Sequence, residues 1–146
     1  MKIRIKKLTE TATLPTQGSA QAAGYDIYAD IPRGSVLINP GQIQKISTGI
    51  CAAPEENDVA LCLFPRSGLA ANQGITLINC VGVVDSDYRG EIVVPLVNFG
   101  VQPVTINDGD RIAQLVVLNI TRADFEEVAE LDETARSDGG FGSTGK

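Results

Sequence analysis

The chain is a series of short apolar segments separated by residues that favour turns. Apolar and polar positions alternate in "KIRIKKL" and in part of "GQIQKISTGI", and four later runs are rich in Val and Ile: "VALCLF", "ITLINCVGVV", "EIVVPLVNF" and "RIAQLVVLNI". Turn formers separate these runs at "NPG", "PRSG", "DSDYRG" and "NDGD". Many short strands at this spacing predict an all-β sandwich or barrel with very little helix.

One predicted strand is apolar on both of its faces. In "EIVVPLVNF" the two sets of alternate positions are Ile92, Val94 and Leu96 on one face and Val93, Val97 and Phe99 on the other. An antiparallel strand with one face in water alternates between apolar and polar residues. Burial of both faces needs a second sheet and a partner subunit, so the pattern predicts an obligate oligomer.

Two segments bear on the helix content. "SGLAANQG" predicts one or two helical turns after Ser67. In "ADFEEVAELDETA", the apolar residues at 125, 128 and 131 recur at helical spacing, but the stripe is too short to decide between helix and extended chain. Small and polar residues dominate the end of the chain. We therefore predict one domain over residues 1–135 and a flexible, glycine-rich tail over residues 136–146.

Charge and composition exclude several classes of function. The 146 residues contain 12 Lys and Arg against 18 Asp and Glu, for a formal net charge of −6, which disfavours a nucleic-acid binder because such proteins need a basic surface. The chain has no histidine. Ser-His and Cys-His catalysis and imidazole zinc sites are therefore excluded. A general base, if present, must be a carboxylate, Lys, Tyr or Cys.

The sequence predicts a soluble cytoplasmic protein. Its start, "MKIRIKKLTE", is too charged for a signal peptide, and its longest apolar run is too short to span a membrane. Cys51, Cys62 and Cys80 are odd in number and lack C-x-x-C spacing. We expect them to be buried small hydrophobic residues in a reducing compartment.

The end of the chain, "GFGSTGK", matches most of the phosphate-loop pattern G-x-x-x-x-G-K-[S/T] when its count begins at Gly140. That motif works because a helix follows it and a Ser or Thr hydroxyl holds magnesium. Neither follows Lys146 in this sequence. We do not expect a phosphate loop of this type, although a glycine-rich tail with hydroxyls can still wrap phosphates.

Two internal segments place charged groups beside turn glycines. "PRSG" brings Arg66 and Ser67 next to a permissive backbone, which suits phosphate oxygens, although an ordinary turn with Ser67 as helix N-cap explains it equally. "VVDSDYRGE" is read as the tip of a β-hairpin carrying Asp85, Asp87 and Tyr88. Asp stabilises turns by itself, but without histidine one of these two acids is the natural general base.

Two further segments are ambiguous when each is taken alone. "GDR" fits a tight turn with an Asp110–Arg111 ion pair, followed by a buried strand in which the Gln114 amide needs a partner from the backbone or a ligand. In "AGYDIYA", Asp26 lies between two aromatic residues of a strand. It is either a charge at a sheet edge or a group that faces a site.

Taken in order, these four segments and "GGFGSTG" resemble the homotrimeric family of deoxyuridine triphosphate nucleotidohydrolases (dUTPases). The match runs from about residue 20 to the end. The resemblance implies a distorted jelly roll, with strand and extended chain, rather than helix, for the segment near Phe125. It also implies a homotrimer with shared active sites, and hydrolysis of dUTP to dUMP and pyrophosphate. That reaction supplies dUMP for thymidylate synthesis and keeps uracil out of DNA.

The resemblance also implies how the nucleoside is recognised. Asn79 and the backbone from Val83 through Val84 to Asp85 would read the uracil, with Val93 opposite. The tight hairpin would leave no room for the thymine methyl group. Tyr88 would pack under the deoxyribose and exclude a 2′-hydroxyl.

For the phosphates, the resemblance implies attack by water at the α-phosphorus, with Asp85 as the catalytic base. The residues that would hold the triphosphate are Arg66, Ser67, Gly68, Gln114, Arg136 and Ser143. Mg²⁺ would sit on the triphosphate and be reached by Asp26 through water. Phe141, next to Gly142 in the tail, would cover the uracil face as part of a lid.

Two alternatives remain from the sequence. A dCTP deaminase, or a bifunctional deaminase and dUTPase, has the same fold, but "DSDYRGE" is similar to the hydrolase version of the third segment. A non-catalytic trimeric jelly-roll binding module is the other alternative. It would have no need of Asp85 as a base.

Overall fold

The computed structural model describes residues 1–140, in which twelve strands and one helix are present. The strands are β1 (Ile3–Lys7), β2 (Thr16–Gln17), β3 (Tyr25–Tyr28), β4 (Ser35–Ile38), β5 (Ile43–Ser47), β6 (Ile50–Pro54), β7 (Val59–Pro65), β8 (Ile75–Leu77), β9 (Gly82–Asp85), β10 (Val93–Asn98), β11 (Val104–Asn107) and β12 (Arg111–Asn119). The helix is α1 (Ser67–Gln73). The predicted all-β class with very little helix is confirmed.

The strands form two larger sheets and two ribbons, all with antiparallel pairing. The five-stranded sheet has the order β2-β3-β12-β7-β9, and the three-stranded sheet has the order β5-β10-β8. The ribbons are β1-β6 and β11-β4. This jelly-roll arrangement confirms the predicted architecture.

The core is aliphatic and draws on both sheets. Ile27, Leu61 and Ala113 of the five-stranded sheet and Val94 and Leu96 of the three-stranded sheet have no exposed area. Strand β7 is buried on both faces from Val59 to Leu63, and both of its edges are hydrogen-bonded, one to β12 and the other to β9. Apolar burial of this extent is the main stabilising term for a domain of this size.

Strand β10 was predicted to be buried on both faces, and within one chain this holds for the first face and for part of the second. Val94 and Leu96 lie in the core, and Val97 on the opposite face is also buried. On that same face Val93 is 37% exposed and Phe99, just after the strand, is 69% exposed. The second face is thus only partly covered within the chain, and its burial against a partner stays a prediction.

The predicted helical turns after Ser67 are confirmed by α1. Gly74 ends the helix in the left-handed conformation, with φ of 70°, and its N–H donates to the Ala70 carbonyl. A Cβ there would also lie 2.4 Å from the backbone nitrogen of Gly100, so both conformation and space require glycine.

The segment from Ile120 to Gly140 contains neither helix nor strand. The choice against local helix propensity was therefore right, but the strand expected there is absent from the single chain. Phe125 is 98% exposed and Leu131 is 84% exposed, so their helical spacing does not reflect packing against this chain's core. None of the helices in residues 1–140 has the length and apolar character to cross a membrane.

The predicted β-hairpin around Asp87 is wrong as a strand pairing. Strand β9 pairs with β7, whereas β10 pairs with β5 and β8 in the other sheet. The two arms diverge because each completes a different layer of the core. The run "ITLINCVGVV" is also divided, since a turn with Cys80 at φ of 62° separates β8 from β9.

The expectation for the cysteines holds at only one of three positions. Cys62 is buried, Cys51 is half-buried and Cys80 is exposed. Cys80 lies in the turn that divides the apolar run, where its side chain points away from the core. A continuous strand through this run would have hidden it, which is why the sequence was misleading.

Candidate active site

Four polar residues on the five-stranded sheet or directly after one of its strands form one ion-pair cluster, consisting of Asp26, Arg66, Arg111 and Gln114. Asp26 and Gln114 face each other directly on the paired strands β3 and β12, so their side chains share one face of the sheet. Arg66 follows the last residue of β7, and Arg111 begins β12 beside a register shift. The sheet thus brings together three predicted site residues and one that was not predicted.

Asp26 is the centre of this cluster. Its side chain is only 6% exposed, and its Oδ1 lies 3.3 Å from Nε of Arg66 and 3.4 Å from Nε2 of Gln114. Its Oδ2 accepts a hydrogen bond from Nη1 of Arg111 at 3.1 Å. A buried carboxylate is stable only when paired and hydrogen-bonded, and the two guanidinium groups meet that need.

Arg66 is fixed by two contacts. Its Nε faces Asp26, and its Nη1 donates to the backbone carbonyl of Arg111 at 3.1 Å. Holding these two nitrogens fixes the plane of the guanidinium, which leaves Nη2 and the second N–H of Nη1 as donors for a ligand. A planar group with several donors suits phosphate oxygens in this arrangement.

Ser67 and Gly68, at the start of α1, are exposed beside this cluster. The interpretation of Ser67 as helix N-cap is wrong, because Arg66 occupies that position and no side-chain cap hydrogen bond is present. A Cβ on Gly68 would meet nothing within 4 Å. Open space therefore surrounds the backbone here, as a phosphate-binding loop requires.

The pairing predicted between Asp110 and Arg111 is also wrong. Asp110 Oδ2 accepts hydrogen bonds from the backbone N–H of Asn107, at 2.7 Å, and from its Nδ2, at 3.3 Å. Arg111 turns instead to Asp26, 85 positions away in the sequence. The turn closes on its own residues, which is ordinary chemistry for Asp.

A separate cleft of about 260 Å³ opens where β9 and β10 diverge. It is lined by Val83, Val84, Asp85, Tyr88, Glu91, Ile92 and Val93. Five of these residues belong to the site predicted from the sequence. Asn79 is exposed on the turn before β9 and is not part of the cleft lining.

The loop at the end of the cleft is held by its own hydrogen bonds. The Tyr88 hydroxyl donates to the carbonyl of Glu91 at 3.2 Å, and the Tyr88 N–H donates to the carbonyl of Asp85 at 3.1 Å. Arg89 Nη1 donates to the carbonyls of Ser86, at 2.8 Å, and Tyr88, at 2.9 Å. These bonds fix Tyr88 and Asp85 relative to each other.

Within one chain, the cleft and the ion-pair cluster are far apart. Asp85 pairs with Ala60 on β7, and Arg66 stands six residues further along the same extended chain. At a rise of about 3.3 Å per residue, this separation is roughly 20 Å. The structure therefore brings the predicted residues together in two groups rather than one.

The remaining predicted residues are in the tail. Arg136 is exposed, and its Nε donates to the carbonyl of Gly139 at 2.9 Å. Phe141, Gly142 and Ser143 lie outside the described residues. Across residues 1–140, no three Asp, Glu, Cys or His side chains are grouped to hold a metal ion. The contact of Asp26 with a metal through water stays a prediction.

Comparison with known proteins places these features in one family. The dUTPase family model matches residues 10–145. Deoxyuridine 5'-triphosphate nucleotidohydrolase of Caldanaerobacter subterraneus is 50% identical over 145 residues, covering 99% of this chain and 97% of the relative. The enzyme of the same name from Wolinella succinogenes is 51% identical over 146 residues, covering 100% and 95%.

A solved structure gives the same result for the fold. The dUTPase of Staphylococcus bacteriophage 80alpha, as a mutant with dUpNHpp, superimposes with a TM-score of 0.88 at 22% identity, covering 99% of each chain. At 22% identity, this match shows similarity of fold alone. The family model and the two relatives show similarity of sequence as well. The chain belongs to the dUTPase family.

Proposed function

We propose that this protein hydrolyses dUTP to dUMP and pyrophosphate by attack of water on the α-phosphorus. The observation that carries the proposal is the pair of features just described: a cleft with Asp85 and Tyr88 at its end, and a preorganised arginine cluster. Membership of the dUTPase family supports it. The reaction would supply dUMP for thymidylate synthesis and keep uracil out of DNA.

The nucleoside is proposed to bind in the cleft. Strand β9 is the edge of the five-stranded sheet, so one side of its backbone, from Val83 to Asp85, has no strand partner within the described chain. Unpaired backbone N–H and C=O groups can bind the polar edge of a pyrimidine. Val84 and Val93 supply apolar lining, and Asn79 stands on the turn that enters β9.

Asp85 is proposed as the general base. Its side chain is exposed and lines the cleft, and no cation is paired with it in the described chain. It would accept the proton of the attacking water as the water oxygen bonds to the α-phosphorus, while the bond to the pyrophosphate oxygen breaks in line. A positioned base of this kind contributes about 10²–10⁴-fold to a rate.

The triphosphate is proposed to bind Arg66, Ser67, Gly68 and Gln114. The two anchors on Arg66 hold its guanidinium before the ligand arrives, so little ordering is needed on binding. Mg²⁺ on the phosphates would neutralise part of their charge. Asp26, whose Oδ1 lies 3.3 Å from Nε of Arg66, would contact that ion through water.

Assembly into a homotrimer with shared sites is part of the proposal. Proton abstraction requires Asp85 within hydrogen-bond reach of a water that itself lies beside the α-phosphorus. The separation of roughly 20 Å within one chain rules this out if Arg66 holds the same phosphates. A second subunit would bring its own Arg66 to the cleft, and the exposed face of Val93 and Phe99 provides apolar surface for the contact.

The tail residues Arg136, Phe141, Gly142 and Ser143 are proposed to close over the bound nucleotide, as the resemblance implies. This role comes from the sequence alone. The cytoplasmic location likewise stays a prediction.

Pyrophosphate release tests the proposal. The purified protein should release pyrophosphate from dUTP in the presence of Mg²⁺, with far slower release from dTTP, dCTP and UTP. Release of ammonia from dCTP would indicate the deaminase alternative, and a protein inactive on every nucleotide would support the non-catalytic module.

The variant Asp85→Asn assigns the base. The amide is nearly the same size as the carboxylate but does not take a proton at neutral pH, so turnover should fall by about 10²–10⁴-fold with little change in dUTP binding. Asp87→Asn, in the same loop, is the matched control and should retain most of the activity. Turnover near the parent value in Asp85→Asn would remove Asp85 from this role.

A further inference from the structure

Gly90 lies directly against the ring of Tyr88. A Cβ atom built on Gly90 would stand 2.2 Å from the Tyr88 hydroxyl oxygen, 2.5 Å from Cζ and 3.0 Å from Cε2. Real Cβ atoms do not approach other atoms so closely. The backbone at Gly90 is not in the left-handed region, so another residue can adopt its conformation. Glycine is therefore needed at this position, for reasons of space alone, if the Tyr88 ring is to keep its place.

The ring, and not the backbone, would give way to a larger residue. Tyr88 is 47% exposed, and the atoms that face Gly90 are at the far end of its side chain. Ordinary contact begins at 3.4 Å, so a methyl group at position 90 would push the tip of the ring away by about 1.2 Å, the difference from 2.2 Å. The hydroxyl would also move relative to the Glu91 carbonyl that accepts its hydrogen bond.

We propose that Gly90 determines sugar specificity by allowing Tyr88 to lie close against the loop. This inference rests on the proposed function and on the role that the resemblance implies for Tyr88, which is to pack under the deoxyribose. A 2′-hydroxyl adds one heavy atom to the sugar, and a displacement of about 1.2 Å is of the size of one substituent atom. Any side chain at position 90 would therefore move the Tyr88 ring and change the room beside the 2′ position of the sugar, where ribose and deoxyribose differ.

The experiment compares Gly90→Ala, Tyr88→Ala and the double variant, using pyrophosphate release from dUTP and from UTP. Gly90→Ala should change the ratio of kcat/KM for UTP to that for dUTP by roughly tenfold, within the range for discrimination of one small group. Gly18→Ala is the matched control, because a Cβ there meets nothing within 4 Å and its backbone is not left-handed. It should leave the ratio unchanged.

The double variant separates an effect through Tyr88 from a general disturbance of the loop. Without the ring, the methyl group at position 90 has nothing to displace, so the double variant should show the same ratio as Tyr88→Ala. It also keeps the test valid if Gly90→Ala folds poorly. In Tyr88→Phe, adding Gly90→Ala should change the ratio less than it does in the parent, because the hydroxyl oxygen nearest to position 90 is removed. The change should not vanish, because Cζ remains.

Each result decides between the two proposals. If the parent hydrolyses dUTP and the ratio in Gly90→Ala equals the parent ratio, the specificity role of Gly90 is refuted and the proposed function stands. An equal effect of Gly90→Ala in the presence and absence of the Tyr88 ring would refute it as well. A parent protein without activity on dUTP would overturn the proposed function and this inference with it.

Discussion

Replacing Asp26 with Asn tests the ion-pair cluster at its centre. The change removes the negative charge that Arg66 and Arg111 share and places an amide NH₂ against one of the two guanidinium groups. Asn keeps one acceptor oxygen, so the variant removes charge while nearly preserving shape. Any effect therefore reports on the pairing and not on a cavity.

The expected loss of stability lies between two limits. Exposed ion pairs contribute about 0–1 kcal/mol, whereas breaking a fully buried pair costs about 3–5 kcal/mol. The Asp26 side chain is 6% exposed, but those of Arg66 and Arg111 are 26% and 50% exposed. Water therefore screens the arginine side of both pairs. We expect the free energy of unfolding to fall by about 1–3 kcal/mol.

The expected loss of activity follows from the position of Arg66. Without the carboxylate, its guanidinium keeps only the contact to the Arg111 carbonyl and is free to rotate about it. Misplacement of a binding group by about 1 Å costs on the order of 10²-fold in rate, and loss of an orienting partner of a metal site costs about 10–100-fold. We therefore expect kcat/KM for dUTP to fall by about 10–100-fold, with a higher Mg²⁺ requirement.

Asp30 provides a matched control on the same part of the chain. Asp26 and Asp30 are both 5% exposed, but Asp30 accepts hydrogen bonds from the hydroxyls of Thr9 and Thr11, each at 2.6 Å. Asp30→Asn should reduce stability and leave kcat/KM unchanged. Urea unfolding at one protein concentration, together with pyrophosphate release at several Mg²⁺ concentrations, measures both quantities. Parent-like kcat/KM in Asp26→Asn, or an equal loss in Asp30→Asn, would refute the orienting role.

Two further predictions concern assembly and the tail. Phe99→Glu places a charge on the open apolar face after β10, so sedimentation should show loss of the trimer together with loss of activity, whereas an active trimer would contradict the interface. Removal of residues 136–146 should abolish activity while changing the melting temperature by only a few degrees, since Arg136, Ser137 and Asp138 make no core contacts. A truncated protein as active as the parent would remove the tail from the mechanism.

The sequence predicted the fold class because hydrophobic periodicity is local. The runs around residues 60, 95 and 115 became β7, β10 and β12, and the turn glycine at position 109 has a φ of 78°. Strand partners are not encoded in that local pattern. Strand β10 meets β5 and β8 rather than its neighbour in sequence, so the predicted hairpin was wrong while its two arms were correctly identified as strands.

The candidate site was predictable where a residue's neighbours in sequence carried the signal. Arg66, Gln114 and Asp26 were each singled out, and the sheet places them together. Arg111 was missed as a site residue because an adjacent acid offered it a local partner. The true partner lies 85 positions away, and only the pairing of β3 with β12 reveals it.

The distribution of charge explains how an acidic protein can bind a polyanion. Between positions 124 and 133 alone there are six Asp and Glu residues, all exposed, whereas Asp26, Arg66 and Arg111 together carry a local charge of +1. The net charge of −6 therefore describes mainly surface away from the ion-pair cluster. Because Asp26 offsets one arginine, the cluster alone would neutralise little of the charge of a triphosphate, and a divalent ion carried by the ligand would supply more positive charge than the cluster itself. We therefore propose that the carboxylate serves to orient Arg66 and would contact a metal ion on the ligand through water, a role that its charge alone would not reveal.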